Sequence, residues 1–348
     1  MKIIHCESGL GNQMLNFVEY LAIKKANPDD KCYMESIVFE IPETNKVVSF
    51  WNGYELERIF GLKVPDLREL FSEEEWSRII KKVKESRFWE NNWEYGEAIT
   101  EALRSEGIEL QNKCRSHIEN KQDSKVMYIR KKIFEETVPG SWLRLHIKNR
   151  NKAYFTNVHA DPERLFFQSN ENLYCGQTLL FMENGNHIED LDKEIREAFQ
   201  FPPITDVRNQ QLLKDIHSTN AVAVHVRRGD SLNFANGKNF KTGYYKRAVR
   251  YIKNHVKNPV FYIFSDPDTS QWCKMNLKHL YLCNHKDQIV FVDWNTGDNS
   301  FRDMQLMSEC KHNVYSWSSF GWWAGYLNNN PDKITCSPVY TVNATHHF

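Results

Sequence analysis

The sequence lacks the features that mark exported, membrane-spanning or disulfide-linked proteins. Only four or five apolar residues and one lysine precede Glu7, too few for the apolar region of a secretory signal, so we expect a protein that is not exported. No stretch approaches the roughly 20 apolar residues of a membrane helix. The eight cysteines are dispersed, with no C-x-x-C pair, which favours reduced thiols. We therefore expect a cytoplasmic protein, with any membrane association peripheral, at the inner face.

An excess of either charge is also missing. The 348 residues include 45 basic and 45 acidic side chains, whereas proteins that bind nucleic acid through phosphates usually carry a large basic excess. We therefore expect no nucleic-acid partner, although a local basic site is still allowed. A hydrophobic fraction of 41% indicates a well-cored globular protein, and a length of 348 residues at roughly 100–200 residues per domain suggests about two domains.

The chain opens with the pattern of a strand, a loop and a helix. Residues 3–6 are an apolar run, Gly9 and Gly11 follow in a turn, and apolar residues then recur at helical spacing up to Lys25. Residues 66–118 are rich in charge and helix formers, so we predict a helical segment there. Residues 120–180 are irregular, and few elements can be placed in them.

Beyond the prolines at 202–203 the pattern becomes regular. Apolar runs alternate with helical stretches, which predicts a parallel sheet with helices between its strands. Ligands of such sheets bind at the carboxyl ends of the strands, so the residues just after each run are candidates for a site. We predict two domains, 1–203 with a helical insertion and 204–348. The runs cover residues 221–226, 260–264, 289–292, 314–315 and 334–336.

Two arginines and a carboxylate follow the run at 221–226: Arg227, Arg228 and Asp230. Guanidinium groups at a strand end are costly unless they meet an anion, and arginine is suited to fork-like contact with phosphate at about 1.5–3 kcal/mol per charge-assisted hydrogen bond. The alternative is a surface corner in which Arg228 pairs with Asp230. An adhesion role for Arg-Gly-Asp is disfavoured, because nothing else indicates an extracellular protein.

Residues 9–13, Gly-Leu-Gly-Asn-Gln, lie between the first predicted strand and helix. Backbone N–H groups and the helix dipole favour an anionic ligand there. The segment is not a dinucleotide fingerprint, because Met14 replaces the third glycine, and it is not a phosphate loop, because no Gly-Lys-Ser/Thr follows. An ordinary turn is the alternative.

Two further segments have more than one interpretation. Ser318 and Ser319 precede an aromatic helix, where serines either cap the helix or hold a phosphate, while the tryptophans at 322–323 are more typical of a core than of a sugar platform. The D-x-D triplets at 190–192 and 266–268 match a pattern that holds a divalent ion in metal-dependent glycosyltransferases. The first looks solvated and the second is equally explained as a turn or helix cap, so we expect no metal.

The order and spacing of these segments resemble the inverting α-1,2-fucosyltransferase family, in its bacterial type. Residues 8–14 are similar to the family's opening Gly-Gly-Leu-Gly-Asn-Gln-Met segment, and residues 225–230 match its His-x-Arg-Arg-Gly-Asp motif in full. The family's Phe-Ser-Asp, Asp-x-x-x-Met-Ser and Ser-Ser-Phe-x-Trp-Trp segments look like residues 264–266, 303–308 and 318–323. The resemblance covers the first 25 residues and roughly 185 to 345.

The sequence departs from the family pattern at several places. Ser8 stands where glycine is usual, and Gly321 replaces a common serine before the two tryptophans. Residues 30–170 show little that aligns. Because acceptor pockets in such enzymes lie mainly in the N-terminal half, the resemblance predicts the donor better than the acceptor.

The resemblance implies an α/β fold of two facing Rossmann-like domains, similar to the GT-B arrangement. It implies transfer of L-fucose from GDP-fucose, without a metal or other cofactor, to the 2-hydroxyl of a galactoside such as a galactose-containing oligosaccharide or a lipid-linked glycan. Two alternatives stay open. One is a fucosyltransferase of another linkage or acceptor, and the other is a catalytically silent module that binds a GDP-sugar or a carbohydrate.

The resemblance also implies residue roles. Arg227 would stabilise the GDP leaving group, and Asn12 of the opposite domain would complete the site on closure. In-line attack calls for a base near the acceptor hydroxyl, for which Glu7, just beyond the first strand, is the geometric candidate. The remaining residues predicted to bind GDP-fucose, or to hold that loop's geometry, are Gly9, Gly11, Gln13, His225, Arg228, Asp230, Ser265, Asp266, Asp303, Ser318, Ser319 and Phe320.

Overall fold

The structure of the protein is a computed structural model. It describes residues 1–47, 52–91, 93–114, 169–176, 188–228, 243–338, 341 and 343–348, and isolated positions at 126, 129, 133, 137, 139, 140, 143 and 240. Two compact units divide the chain: the first is formed by residues 1–122 and 160–201, and the second by residues 123–159 and 202–348. The division after residue 201 lies beside the predicted boundary at 203/204, whereas residues 123–159 belong to the second unit and not to the first.

A parallel sheet with the strand order β2-β1-β4-β3 forms the centre of the first unit. The opening apolar run becomes β1, Lys2–His5, which is buried along its whole length, as are both of its neighbours. The other strands were not predicted, because they are short and lack alternation. They are β2 (Cys32–Glu35), β3 (Gln111–Asn112) and β4 (Leu173–Cys175).

Helices cover this sheet, and the first of them is the predicted one. The helix α1, Leu10–Ala26, begins directly after Gly9, so residues 10–13 lie in its first turn and not, as predicted from the two glycines, in a loop before it. It ends with two lysines, which favour the negative end of its dipole. A helix in the predicted helical segment at 66–118 opens with a capping box: the hydroxyl of Ser72 accepts from the Glu75 N–H, while the Glu75 carboxylate accepts from the Ser72 N–H at 2.8 Å. The remaining helices are α2 (Leu56–Phe60), α3 (Glu73–Ser86), α4 (Tyr95–Ser105) and α5 (Ile188–Ala198).

A parallel sheet with the strand order β10-β9-β8-β5-β6-β7 forms the second unit. The five apolar runs predicted as strands after residue 203 are confirmed as β5 to β9, and the short β10 was not predicted. The apolar core of the second unit packs between the sheet and the helices. Its buried side chains include Val224, Phe261, Tyr244 and Ala248. The strands are β5 (Asn220–His225), β6 (Pro259–Phe264), β7 (Gln288–Val292), β8 (His312–Tyr315), β9 (Thr335–Ser337) and β10 (His346–His347).

The helices of the second unit connect these strands in the order expected of crossover units. No described helix of either unit is long and apolar enough to cross a membrane. The two tryptophans at 322 and 323 are fully buried and meet edge to face at 4.9 Å, so they belong to the core, as predicted. The helices are α6 (Val207–Ser218), α7 (Tyr244–His255), α8 (Pro267–Met275), α9 (Phe301–Glu309) and α10 (Ser319–Leu327).

Candidate functional site

Three neighbouring strands of the second unit end at one edge of its sheet. In the parallel register His225, the last residue of β5, lies opposite Phe264 of β6 and Tyr315 of β8. The segments that follow these strands are residues 226–228, 265–266 and 316–319. The motif segments that sequence analysis singled out separately are therefore brought together at one edge, where open α/β sheets bind ligands.

The two arginines of the motif have different surroundings. The guanidinium of Arg228 lies 3.7 Å from the ring centroid of Trp272 and 5.3 Å from that of Phe240. Burial lowers the pKa of Arg228, although its charged form persists at neutral pH. Arg227, one residue nearer the strand, is half-buried. Gly229 and Asp230 lie outside the described residues, so the predicted role of Asp230 stays a prediction.

His225 supports the loop as a neutral side chain. Burial, with a smaller contribution from the charge of Arg227, lowers the pKa of His225 to about 3. Its Nδ1 lies 3.2 Å from the Ser316 hydroxyl, and its ring is 5.9 Å from that of Phe320. A Cβ on Gly321 would come within 2.6 Å of His225 Nδ1, so the glycine that departs from the family pattern is what allows this close packing.

Two buried hydroxyl groups at this edge make no hydrogen bond within the part of the chain that the structure describes. Ser265 follows β6 and Ser318 follows β8, and the Oγ atoms of both are buried without a partner. Ser318 occupies the N-cap position of α10, yet its side chain makes no capping hydrogen bond. Because buried polar groups are nearly always paired, these hydroxyls fit a ligand with acceptor oxygens, such as a phosphate. Ser319 and Phe320, in the first turn of α10, are half-buried beside them.

Asp266 and Asp303 are engaged within the fold. Asp266 caps α8, accepting from the Thr269 N–H at 2.9 Å and from the Thr269 hydroxyl at 2.8 Å, which agrees with its interpretation as a cap. Asp303 accepts a hydrogen bond from Asn295 at 2.7 Å, and loss of hydration raises the pKa of Asp303 to about 8. Their predicted contacts with GDP-fucose stay predictions.

Asp192 and Asp266 of the two D-x-D triplets are engaged in other contacts. Asp192 pairs with Arg196 at 2.9 Å, and Asp266 is the helix cap. No three His, Cys, Asp or Glu side chains among the described residues are grouped so that they could hold an ion. That the protein needs no metal stays a prediction.

The glycine segment of the first unit lies at the carboxyl end of β1. Gly9 is the N-cap residue of α1, Gly11 is buried in its first turn, and Asn12 is half-buried there. Gln13 is fully buried, and its amide is used inside the fold: Nε2 donates to the carbonyls of Ser8 and Gly53, and Oε1 accepts from the Glu55 N–H, each at 2.8 Å. The structure thus gives Gln13 a role in holding the loop, and its predicted contact with GDP-fucose is untested.

Glu7 also lies at this end of the first unit's sheet. Its Oε2 accepts from the indole N–H of Trp93 at 2.6 Å and lies 3.4 Å from His5 Nε2. On its other side the His5 ring contacts Glu35 through Nδ1. His5 and Glu35 were not predicted as site residues, although a histidine two residues before the candidate base, in a buried strand, is a signal for them.

The chain is similar to known glycosyltransferases. The model of glycosyl transferase family 11 matches residues 131–346. The chain is 32% identical over 163 residues to an alpha-1,2-colitosyltransferase of Escherichia coli, covering 46% of this chain and 53% of the relative. It is 31% identical over 128 residues to the O-antigen biosynthesis glycosyltransferase WbnK of E. coli, covering 35% and 39%.

A mammalian relative and a solved structure are also similar. The galactoside 2-alpha-L-fucosyltransferase SEC1 of Bos taurus is 32% identical over 128 residues, covering 36% of this chain and 31% of the relative. A mutant of Arabidopsis thaliana FUT1 in complex with GDP has a TM-score of 0.43 and 12% identity, covering 99% of this chain and 72% of that chain. The chain thus spans about half or less of the length of these curated relatives.

Proposed function

The chain belongs to glycosyl transferase family 11, and we propose that it transfers L-fucose from GDP-fucose, with inversion, to the 2-hydroxyl of a galactoside. The observation that supports a donor site is the set of side chains at one edge of the second unit's sheet. There Arg227, Ser265 and Ser318 follow three neighbouring strands, and the two hydroxyls are buried without a partner among the described residues. A guanidinium and two hydroxyls match the charge and the acceptor oxygens of a diphosphate.

Arg227 stabilises the leaving group in this proposal. When the bond between the anomeric carbon and the β-phosphate oxygen breaks, negative charge develops on that phosphate, and a guanidinium held at the strand end offsets it. Arg228 is packed on Trp272 and Phe240 and keeps the loop in shape. Removal of a preorganised group that meets developing charge typically lowers the rate about 100- to 1,000-fold.

The first unit serves the acceptor side in this proposal. Glu7 takes the proton of the attacking hydroxyl, because it lies at the end of β1 and its side chain keeps 15% of its surface exposed. Asn12, half-buried in the first turn of α1, contacts the sugar or the diphosphate of the donor. Arg227 supplies the positive charge that a divalent ion supplies in other glycosyltransferases, so the reaction proceeds without metal.

The acceptor in this proposal is a galactose-containing oligosaccharide or a lipid-linked glycan. The name of one E. coli relative includes O-antigen biosynthesis, which favours a bacterial surface polysaccharide. Such acceptors are met in the cytoplasm at the inner face of the membrane, where we place the protein.

A second candidate donor is the GDP derivative of colitose. The name of another E. coli relative specifies α-1,2-colitosyl transfer, and colitose differs from L-fucose by the absence of the 3-hydroxyl. The same diphosphate site would serve both donors. A competition assay with both GDP-sugars separates them, because the preferred donor gives the higher kcat/KM.

The test of the proposed function is GDP release by the purified protein. GDP-fucose is supplied in EDTA with a panel of β-galactosides that includes lactose and N-acetyllactosamine, and the linkage of any product is determined. We expect release that depends on the galactoside and an α-1,2 product. Release without any galactoside dependence would contradict the proposal, and a loss of rate in EDTA that manganese restores would contradict metal independence.

A further inference from the structure

His5 lies between two carboxylates in the interior of the first unit. Its side chain and that of Glu35 are fully buried, and its Nδ1 contacts a Glu35 oxygen while its Nε2 lies 3.4 Å from Glu7. Burial lowers the pKa of His5, but Glu35 and Glu7 outweigh this effect and raise it to about 9. The ring therefore carries a proton on both nitrogens at neutral pH, and each nitrogen faces a carboxylate.

The other faces of the ring are also held. Tyr95 stacks on it with 3.9 Å between the ring centroids and 15° between the planes. The Tyr174 hydroxyl lies 3.1 Å from His5 Nδ1 and donates to Glu35. Among the described residues, Glu7, Glu35, Tyr95 and Tyr174 are the titratable groups that face His5. Its orientation is thus fixed from every side, so Nε2 remains directed at Glu7.

Glu7 is the only one of the three charged side chains that reaches solvent. Its side chain keeps 15% of its surface exposed, against none for His5 and Glu35. The indole N–H of Trp93 donates to the same Glu7 oxygen that faces His5, at 2.6 Å. The Trp93 indole therefore holds the carboxylate by a hydrogen bond, and the charged His5 ring lies beside it at 3.4 Å. Both lie at the carboxyl end of β1, where a ligand of a parallel sheet approaches.

The backbone beside Glu7 is strained at two residues. Ser8, which follows it directly, has a φ of 65°, and Trp93, which donates to it, has a φ of 59°. Residues other than glycine avoid this left-handed region, and such conformations tend to persist where the surrounding structure holds a functional group in place. Both strained residues adjoin the same carboxylate.

A purely structural role explains these contacts poorly. Buried charges cost desolvation, and replacing them with apolar side chains of similar size is often neutral or stabilising. The three charged side chains, which run from the core to the partly exposed Glu7, add this desolvation cost and contribute no apolar packing. The arrangement instead resembles that of catalytic groups, in which a buried acid orients a histidine and the histidine orients the reacting group.

We propose that Glu35 and His5 position Glu7 as the base that removes the proton from the acceptor's 2-hydroxyl. This inference rests on the proposed fucosyl transfer. The acceptor oxygen forms a bond to the anomeric carbon, and the bond from that carbon to the β-phosphate oxygen breaks with its electron pair on GDP. The hydroxyl proton ends on the Glu7 carboxylate. His5 keeps both of its protons and acts as a positioning residue.

The experiment compares Glu7→Gln, His5→Gln and Glu35→Gln with the wild type. The readouts are galactoside-dependent GDP release over pH 5.5–9.5 and the rise in Tm on addition of GDP. Because general base catalysis contributes about 100- to 10,000-fold, we expect Glu7→Gln to lower kcat at least 100-fold. We expect His5→Gln and Glu35→Gln to lower kcat about 10-fold and to change the pH profile. All three should keep the GDP-induced rise in Tm.

Two further variants make the test specific. Formate should partly restore the rate of Glu7→Ala, because a small carboxylate replaces the missing base. His217→Gln is the matched control, since His217 also pairs with a carboxylate, Glu309 at 2.8 Å, but on the exposed surface of the second unit. We expect His217→Gln to leave the rate and the pH profile unchanged. If His5→Gln does not fold, Glu7→Gln and the formate rescue decide the proposal.

The outcomes separate this inference from the proposed function. If the wild type transfers fucose and the kcat of Glu7→Gln is within a few-fold of the wild-type kcat, the role of Glu7 is overturned. The fucosyltransferase proposal then still stands. A His5→Gln variant with a lowered Tm but an unchanged kcat and pH profile would reduce His5 to a structural residue. Binding of GDP by the wild type without transfer to any galactoside would overturn the proposed function, and the role of Glu7 with it.

Discussion

Arg228 packs its guanidinium over the indole of Trp272, with 3.7 Å between the guanidinium carbon and the ring centroid. The preceding residue, Arg227, is half-buried just beyond β5. In the proposed function the two adjacent arginines of one motif have different tasks. Arg228 stabilises the loop, and Arg227 meets the diphosphate of the donor.

This difference predicts opposite results for two alanine substitutions. Arg227→Ala should lower the rate of fucosyl transfer at least 100-fold with an unchanged Tm. Arg228→Ala should lower the free energy of unfolding by about 1 kcal/mol through loss of the cation–π contact. Activity assays and thermal unfolding measure both. Arg250→Ala is the control, since Arg250 is exposed on α7 and its guanidinium lies farther from a ring, 5.3 Å from that of Tyr281. Near-normal turnover of Arg227→Ala would contradict the assignment.

Ser8→Gly should stabilise the protein by about 1 kcal/mol, because a residue with a Cβ is strained in the left-handed region and glycine is not. Ser8 has a φ of 65°. Ser36 is the matched control, since it also follows a strand of the same sheet but has a φ of −130°. Urea unfolding should show a gain for Ser8→Gly and a loss for Ser36→Gly. Equal changes in the two variants would argue against strain at Ser8.

Gly321→Ala should destabilise the second unit by about 1–3 kcal/mol, the usual cost of overpacking. The added Cβ would meet His225 Nδ1 at 2.6 Å and the Tyr315 Cβ at 2.8 Å. Gly325→Ala lies in the same helix with its nearest contact at 3.2 Å, so its loss should be smaller. Thermal unfolding of both variants tests this order, and a larger loss for Gly325→Ala would reverse it.

Gln13→Ala should lower the free energy of unfolding by about 2 kcal/mol, because two partly buried carbonyls and one buried N–H lose their partner. These groups belong to Ser8, Gly53 and Glu55. Gln211→Ala, which removes an exposed hydrogen bond to Asp215, should have little effect. Denaturant unfolding provides the measurement. A Gln13→Ala variant with wild-type stability but without GDP-fucose binding would instead show that Gln13 contacts the ligand.

The stability of the protein should fall as the pH rises from about 6.5 to 9. Folded His5 has a pKa of about 9, whereas an unfolded histidine has one of about 6.5. Between these values the folded state binds the extra proton, so the contribution of His5 is fully present below pH 6.5 and is lost as the pH rises through 9. Unfolding at several pH values should show a weaker decline for His5→Gln. An equal decline of the unfolding free energy with pH in the wild type and in His5→Gln would contradict the raised pKa of His5.

Local patterns determined much of the second unit. The runs at 221–226, 260–264 and 289–292 were recognisable as strands because buried parallel strands are continuous apolar segments, and each prediction is confirmed. The order of the motif segments likewise identified the family, since residues that bind one ligand recur at set positions after these strands. The strands β2, β3 and β4 were not recognisable, because they have only four, two and three residues and form no continuous apolar run.

The different surroundings of the motif residues depended on tertiary structure. The sequence by itself specified that arginines, serines and a glycine turn follow strands, and hence that an anion site was expected. It could not distinguish Arg227 from Arg228, because only the packing of α8 brings Trp272 beneath the second of them. It also left His5 and Glu35 unnoticed. They are 30 residues apart and meet because β1 and β2 pair in register, and a buried charge network exists only where the fold assembles it.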